Sequence, residues 1–247
     1  MEVVVFDSRD EMGLAAAKRV SEKIRELQQK KPVLRMMFAA APSQLEFLQA
    51  LIKEPINWQG IVAFHMDEYI GLPASHAASF RNFLNRHLFD LVPFREINRI
   101  NGEFEDPQQE ADRYAALLAE SPMDIICLGI GENTHLAFND PHVADFQDPC
   151  LVKLVDLDPT CRQQQVNDGC FETLEEVPAL AITVSLPALY SGNYLFCMVP
   201  GKNKAQAVLH TMEEAISPVF PSTLLRKHPA VVLFLDRDSA ALLPFHN

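Results

Sequence analysis

The chain has 247 residues, 48% hydrophobic and 22% charged, which suits one large α/β domain over 1–247 and argues against disorder. Its 21 Lys and Arg against 33 Asp and Glu give a formal charge of −12, so nucleic acid is a poor partner, because phosphate neutralisation dominates that affinity. The five cysteines (Cys127, Cys150, Cys161, Cys170 and Cys197) are odd in number and lack C-x-x-C spacing, which argues against a disulfide framework or a structural zinc site.

The N-terminal Met-Glu-Val-Val-Val-Phe-Asp has neither a basic segment nor a long apolar one, and no apolar stretch approaches the roughly 18 residues of a membrane span. A cytosolic protein without a membrane segment is expected. Val3–Phe6 reads as a first strand and Ser8–Gln29 as an amphipathic helix with Met12, Ala15, Ala16, Val20, Ile24 and Leu27 on one face. Val33–Phe38 is a second strand. Ser43–Lys53 is a second helix, opened by the capping-box pattern Ser43-Gln44-Leu45-Glu46. Ile61–Phe64 is a third strand, Ser79–Leu88 and Pro107–Ala119 are helices, and Ile125–Leu128 is a buried strand that ends in glycines. Ala181–Val184, Tyr194–Val199 and Val231–Leu235 are further strands. Lys202–Thr211 follows a Pro-Gly turn as a helix, and a short helix is expected from Asp238. The stretch Asp140–Glu176 is the least regular and reads as loops, short strands or a lid.

Short apolar strands alternating with helices predict a three-layer, Rossmann-like doubly wound fold: a mostly parallel sheet with helices on both faces. Ligands of such sheets bind beyond the carboxyl ends of the strands. Four segments should therefore converge on one edge: Ala39–Ser43, His65–Tyr69, Gly129–His135 and Pro200–Lys204.

Asp67 and Glu68 directly follow a buried strand, where one carboxyl could be driven towards a general base by apolar neighbours. The alternative is a pair that caps a turn. In Gly129-Ile130-Gly131-Glu132-Asn133-Thr134-His135 the glycines allow a sharp turn and His135 can move protons, with Asp140 placed to orient it. Thr134 occupies the last position of G-x-G-x-x-G, which argues against a dinucleotide site. Ser43, after three alanines, is either a phosphate ligand or a plain helix cap. Lys202 and Lys204 either meet a phosphate or sit in a solvated first turn. His87, His210, His228 and His246 read as surface or packing residues, and His76 as a weaker site candidate. There is no H-E-x-x-H and no ligand cluster, so no metal is expected. No G-x-S-x-G elbow points to a serine hydrolase.

These segments resemble the glucosamine-6-phosphate deaminases, also called isomerases, of a superfamily shared with 6-phosphogluconolactonases. Phe64–Pro73 is similar to F-N-M-D-E-Y-x-G-L-P, Gly129–Pro141 to G-x-G-x-D-G-H-I-A-F-N-E-P, and Val199–Ala205 to V-T-G-x-N-K-A, with Asn101-Gly102 and Thr183-Val184 as shorter matches. The resemblance implies deamination of glucosamine 6-phosphate, or a close epimer, to a ketohexose 6-phosphate and ammonia, with no cofactor. It implies that His135 opens the sugar ring, that Asp67 moves the C2 proton and that Glu68 supports Asp67. Ser43, Lys204 and Arg162 would hold the phosphate, in a small-molecule enzyme open to homo-oligomer formation. The chain departs from the pattern at Asn133 (usually Asp), Thr134 (usually Gly) and Asp140 (usually Glu), so the histidine keeps one of two flanking carboxylates. A lactonase that needs His135 but no C2 base, and a non-catalytic sugar-phosphate binder, use the same residues.

Overall fold

Ten strands and seven α-helices form in the computed structural model, which describes residues 1–244. His246 lies outside the described residues. The strands are β1 (Glu2–Phe6), β2 (Leu34–Phe38), β3 (Ile61–His65), β4 (Asp67–Tyr69), β5 (Glu96–Asn98), β6 (Ile125–Leu128), β7 (Val152–Asp156), β8 (Leu180–Val184), β9 (Tyr194–Val199) and β10 (Val231–Asp236). The helices are α1 (Arg9–Gln28), α2 (Leu45–Leu51), α3 (Phe80–Leu84), α4 (Pro107–Ala119), α5 (Pro159–Asn167), α6 (Leu186–Tyr190) and α7 (Ala205–Glu213).

Seven strands pair in the order β1-β10-β9-β6-β2-β3-β5, all parallel. Both faces are buried, as near-continuous apolar runs require. Leu34, Met36, Phe38, Ile125, Cys127, Phe196 and Met198 point into one core, with Met12, Ala16, Val20 and Ile24 of α1. The alternate residues Met37, Ile126, Leu128, Leu195, Cys197 and Val199 point into a second core, with Tyr114 of α4 and Val208 of α7. This is the three-layer arrangement that the sequence predicts. The chain runs outward through β2, β3 and β5, then returns across β2 to build β6, β9 and β10. The switch point, where such sheets bind ligands, therefore lies between β2 and β6.

A second, antiparallel sheet, β4-β8-β7, stands beyond the end of β3 and pairs Asp67 with Thr183. The expected strand Ala181–Val184 belongs to this smaller sheet. The irregular stretch 140–176 supplies β7 and α5. The capping box at Ser43 does not form: Ser43 sits in a 3-10 turn (Pro42–Gln44), α2 starts at Leu45 without a side-chain cap, and Glu46 pairs with Arg9 at 2.8 Å. Among the described residues, 237–242 form turns where the short helix was expected, with Ser239 N–H donating to Asp236 Oδ1 at 2.8 Å. No helix among the described residues is long and apolar enough to cross a membrane.

Candidate active site

The carboxyl ends of β2, β3, β6 and β9 surround one cleft, lined by Ala39–Ala41 and Ser43, by Met66 and Asp67, by Gly129–Gly131 and His135, and by Lys204. All four predicted segments therefore meet at one edge of the sheet.

Successive residues of a strand point to opposite sides, and β4 uses this to separate its two acids. Asp67 faces the cleft at 6% exposure. Burial drives its carboxyl well above the usual carboxylate range, and the Glu68 charge adds to the rise. Glu68 turns away. Its carboxylate accepts from the N–H groups of Tyr69 (3.0 Å), Phe80 (3.1 Å) and Arg81 (2.8 Å), and from Ser79 Oγ (2.9 Å). It therefore ties the start of α3 to β4. The expected support of Asp67 is corrected: of the two readings drawn for this pair, the cap describes Glu68 and the cleft acid describes Asp67.

The loop after β6 presents His135. Gly131 N–H donates to His135 O at 2.9 Å, and Thr134 enters the left-handed region at φ 70°. The imidazole rests directly on Gly131, where a Cβ would come within 2.1 Å of the ring. Nδ1 lies 2.6 Å from Asn133 Oδ1 and 3.0 Å from Asp140 Oδ1. Two oxygen acceptors assign the proton to Nδ1, which leaves Nε2, without a protein partner among the described residues, as the basic nitrogen. Asn133 Nδ2 donates to the same Asp140 oxygen at 3.0 Å, and Asp158 N–H donates to the other at 3.1 Å. Burial pushes the Asp140 carboxyl up, but His135, Asn133 and Asp158 together outweigh it and hold the group below the usual range.

Residues outside the expected set fix this loop. Asn139 is fully buried and donates to Leu136 O (2.9 Å) and Val184 O (2.8 Å), while Thr183 Oγ1 accepts from Phe138 N–H at 3.0 Å. The small sheet is thus the abutment of the histidine loop, signalled in the sequence by the expected strand Ala181–Val184 and the short Thr183-Val184 match.

At the other end of the cleft, Lys204 is 5% exposed, and its ammonium makes no hydrogen bond or ion pair among the described residues. Burial lowers its proton affinity, opposed by Asp168 and Glu132. A buried, unpaired cation beside the small residues Ala39–Ala41 and the Ser43 hydroxyl suits an anionic ligand group. Gly201 makes the turn into this segment at φ 100°, with its N–H on the Asp236 carboxylate at 3.0 Å.

Arg162 does not join them. Its guanidinium donates to Leu174 O (2.6 Å) and Val177 O (2.8 Å), fastening α5 to the segment that follows it. The same helix sends Gln164 and Gln165 into the cleft instead, and Gln164 Oε1 accepts from Glu132 N–H at 2.8 Å. His76 stacks on Phe171 at 5.5 Å and does not line the cleft. His228 is a packing residue, buried with a ring nitrogen 2.8 Å from Gly192 O.

The family model for glucosamine-6-phosphate isomerases/6-phosphogluconolactonase matches residues 7–233. A glucosamine-6-phosphate deaminase of Streptococcus sanguinis is 32% identical over 98% of this chain and 99% of its own length. One of Bacillus thuringiensis is 31% identical over 98% and 89% respectively. The solved structure of a monomeric glucosamine-6-phosphate deaminase superposes with a TM-score of 0.90 at 28% identity, covering 98% of this chain and all (100%) of the other. The 6-phosphogluconolactonase of Trypanosoma cruzi shares the fold, with a TM-score of 0.80 at 18% identity over 98% of this chain and 97% of its own. The chain belongs to the family of glucosamine-6-phosphate isomerases and 6-phosphogluconolactonases.

Proposed function

We propose that the chain deaminates glucosamine 6-phosphate, or a close hexosamine 6-phosphate epimer, to a ketohexose 6-phosphate and ammonia. The observation that carries this is the pairing of two different proton carriers in one cleft: a buried Asp67 with raised proton affinity, and a His135 whose Nε2 is left basic. A ring opening needs a group that takes a proton from O1 and gives one to O5, and Nε2 of His135 suits it. The C2 proton then passes to Asp67 while O1 takes up a proton from solvent, giving an enolamine. Return of the Asp67 proton to C1 produces a protonated C2 imine, which water hydrolyses to the ketone with loss of ammonia as ammonium. Lys204 and Ser43 hold the phosphate at the far end of the cleft. Asp140 and Asn133 keep His135 in its tautomer.

A phosphorylated substrate suits a cytosolic site. Lactone hydrolysis would leave the buried Asp67 without a task. The test is ammonia release over a panel of hexosamine 6-phosphates, with 6-phosphogluconolactone as a control. Turnover of one hexosamine, lost in Asp67→Asn, is expected. Faster hydrolysis of the lactone, or undiminished turnover by Asp67→Asn, overturns the reading.

A further inference from the structure

Cys161 has no part in the chemistry above, yet it lies beside the acid that orients His135. Among the described residues, His135, Asp140 and Cys161 each offer a ligand atom, and these atoms lie within 4.8 Å of one another. All three residues are buried. They come from the loop after β6 and from the first turn of α5, and their spacing in sequence follows no metal motif. We propose that these three residues form a binding site for a thiophilic divalent cation, zinc first, whose occupancy switches the cleft off.

The donor set selects the cation. One imidazole nitrogen, one carboxylate and one thiolate suit zinc, cobalt(II) or cadmium, whereas magnesium and calcium require oxygen ligands. Bonds of about 2.0–2.3 Å in a tetrahedral site put ligand atoms roughly 3.5 Å apart. The three atoms lie within 4.8 Å of one another, so side-chain rotation must close the widest separation by about an ångström for the ion to bind. The fourth position is left for water, since three protein ligands make an open site. Charge balance also favours occupancy. The carboxylate of Asp140 and the thiolate of Cys161 neutralise a doubly charged ion, so the buried cluster carries no net charge when filled. The empty cluster keeps its thiol protonated, because burial and the neighbouring Asp140 raise it well above the ordinary thiol range. Binding therefore exchanges the thiol proton for the cation, and the proton leaves to solvent.

The consequence for His135 follows from its geometry. Nδ1 is the nitrogen that faces Asp140, at 3.0 Å. A cation on Nδ1 moves the single ring proton of the neutral imidazole to Nε2 and so removes the lone pair that ring opening requires. Inhibition thus rests on the proposed deamination, whereas binding does not.

Two measurements on the full chain separate these. Cobalt(II) titration should produce a thiolate-to-cobalt charge-transfer band that saturates at one equivalent, is absent in Cys161→Ser and Cys161→Ala, and disappears on adding zinc. Zinc should inhibit ammonia release reversibly, with EDTA restoring it. Each variant, normalised to its own metal-free rate, should need at least about tenfold more zinc, the scale on which weakened metal sites lose affinity. Magnesium at the same concentrations should have no effect. The proposal is overturned if the band fails to form, if it persists in both variants (which would place it on Cys150 or Cys170), or if both variants are inhibited at the wild-type zinc concentration. A chain that releases no ammonia from any substrate would overturn the functional reading and leave the cobalt band to decide the site.

Discussion

Glu68→Gln distinguishes an acid that shapes the site from one that reacts in it. In the folded chain Oε1 accepts from the N–H groups of Tyr69 and Phe80, and Oε2 from Ser79 Oγ and the N–H of Arg81. The glutamine amide replaces one of these oxygens by a donor. Turned one way, it faces two backbone N–H groups. Turned the other, the Ser79 hydroxyl can rotate to accept, but the Arg81 N–H still meets a donor. The smallest cost is therefore one buried unsatisfied N–H, about 1–3 kcal/mol, together with weaker bonds from the three remaining donors. Relief from burying a charge offsets part of this, since burial is the main cause of the raised Glu68 carboxyl. A net loss of about 2 kcal/mol is expected for Glu68→Gln, and about 4 kcal/mol for Glu68→Ala, which abandons all four donors. Urea unfolding followed by the single, buried Trp58 reads the difference, with the slope of unfolding unchanged. The folded Glu68→Gln enzyme should keep kcat within about tenfold of wild type, since its carboxyl lies outside the cleft. Unaltered stability combined with a loss in kcat of about a thousandfold or more, the scale of a lost general acid or base, would refute this reasoning and return Glu68 to the chemistry.

Asp67→Asn should lower deamination by about 10²–10⁴-fold while raising stability at neutral pH. The sign follows from the raised carboxyl: above its ordinary value of 3.8 the folded state holds the proton that the unfolded chain has released, so wild-type stability falls as pH climbs through that window. The variant should show a shallower fall in urea titrations at pH 5 and 8, and a variant less stable than wild type at pH 8 would contradict it. Gly131→Ala puts a methyl 2.1 Å from His135 Cε1, so the ring must move. Displacing a catalytic group by about an ångström costs on the order of a hundredfold, so kcat should drop by that much, and wild-type kcat would show that His135 tolerates the shift. Lys204→Met removes a buried, unpaired cation. It should raise KM for the phosphosugar about tenfold or more and abolish the thermal stabilisation conferred on wild type by inorganic phosphate. Retained phosphate protection would remove Lys204 from the phosphate site.

The central sheet was legible because β2, β6 and β9 are apolar runs that need cover on both faces. Of the small sheet only β8 was legible, since Asp67–Tyr69 is a three-residue strand and β7 carries Lys153 and Asp156 in its five residues; the three-residue edge strand Glu96–Asn98 of the central sheet was missed for the same reason. Such segments become strands through their partners and not through their own pattern. The same limit governed α5, in which only Cys161, Gln164 and Gln165 of nine residues are buried. With so polar a helix, the family resemblance alone pointed to Arg162, whereas helical rotation brings Gln164 and Gln165 to the cleft. Asp67, His135, Ser43 and Lys204 were legible because each sits at the end of a strand or a turn that follows one. The nearness of Cys161 to His135 and Asp140 was beyond reach, because it depends on how α5 packs back over the loop.

The departures from the family pattern around His135 have a common geometric basis. An aspartate at position 133 would set a second carboxylate against Asp140, at the 3.0 Å where Asn133 Nδ2 now donates to it. The amide joins what two carboxylates would drive apart, and its oxygen still takes the His135 N–H groups at 2.6 and 3.2 Å. Thr134, in place of the usual glycine, is costlier. A β-branched residue at φ 70° is strained, and its fully buried hydroxyl has no partner among the described residues, each an effect of about 1–3 kcal/mol. Such a turn persists only when its surroundings over-determine it. Here they do so from four sides: Ser222 N–H on Thr134 O, Asp158 N–H on Asp140, Asn139 on Val184 O, and Phe138 N–H on Thr183. Three of these four ties reach the loop from β8 or from the segment between β7 and α5, elements distant from the loop in sequence. The precision of His135 is therefore set by that surrounding frame, and the loop's own sequence departs from the pattern without releasing the histidine.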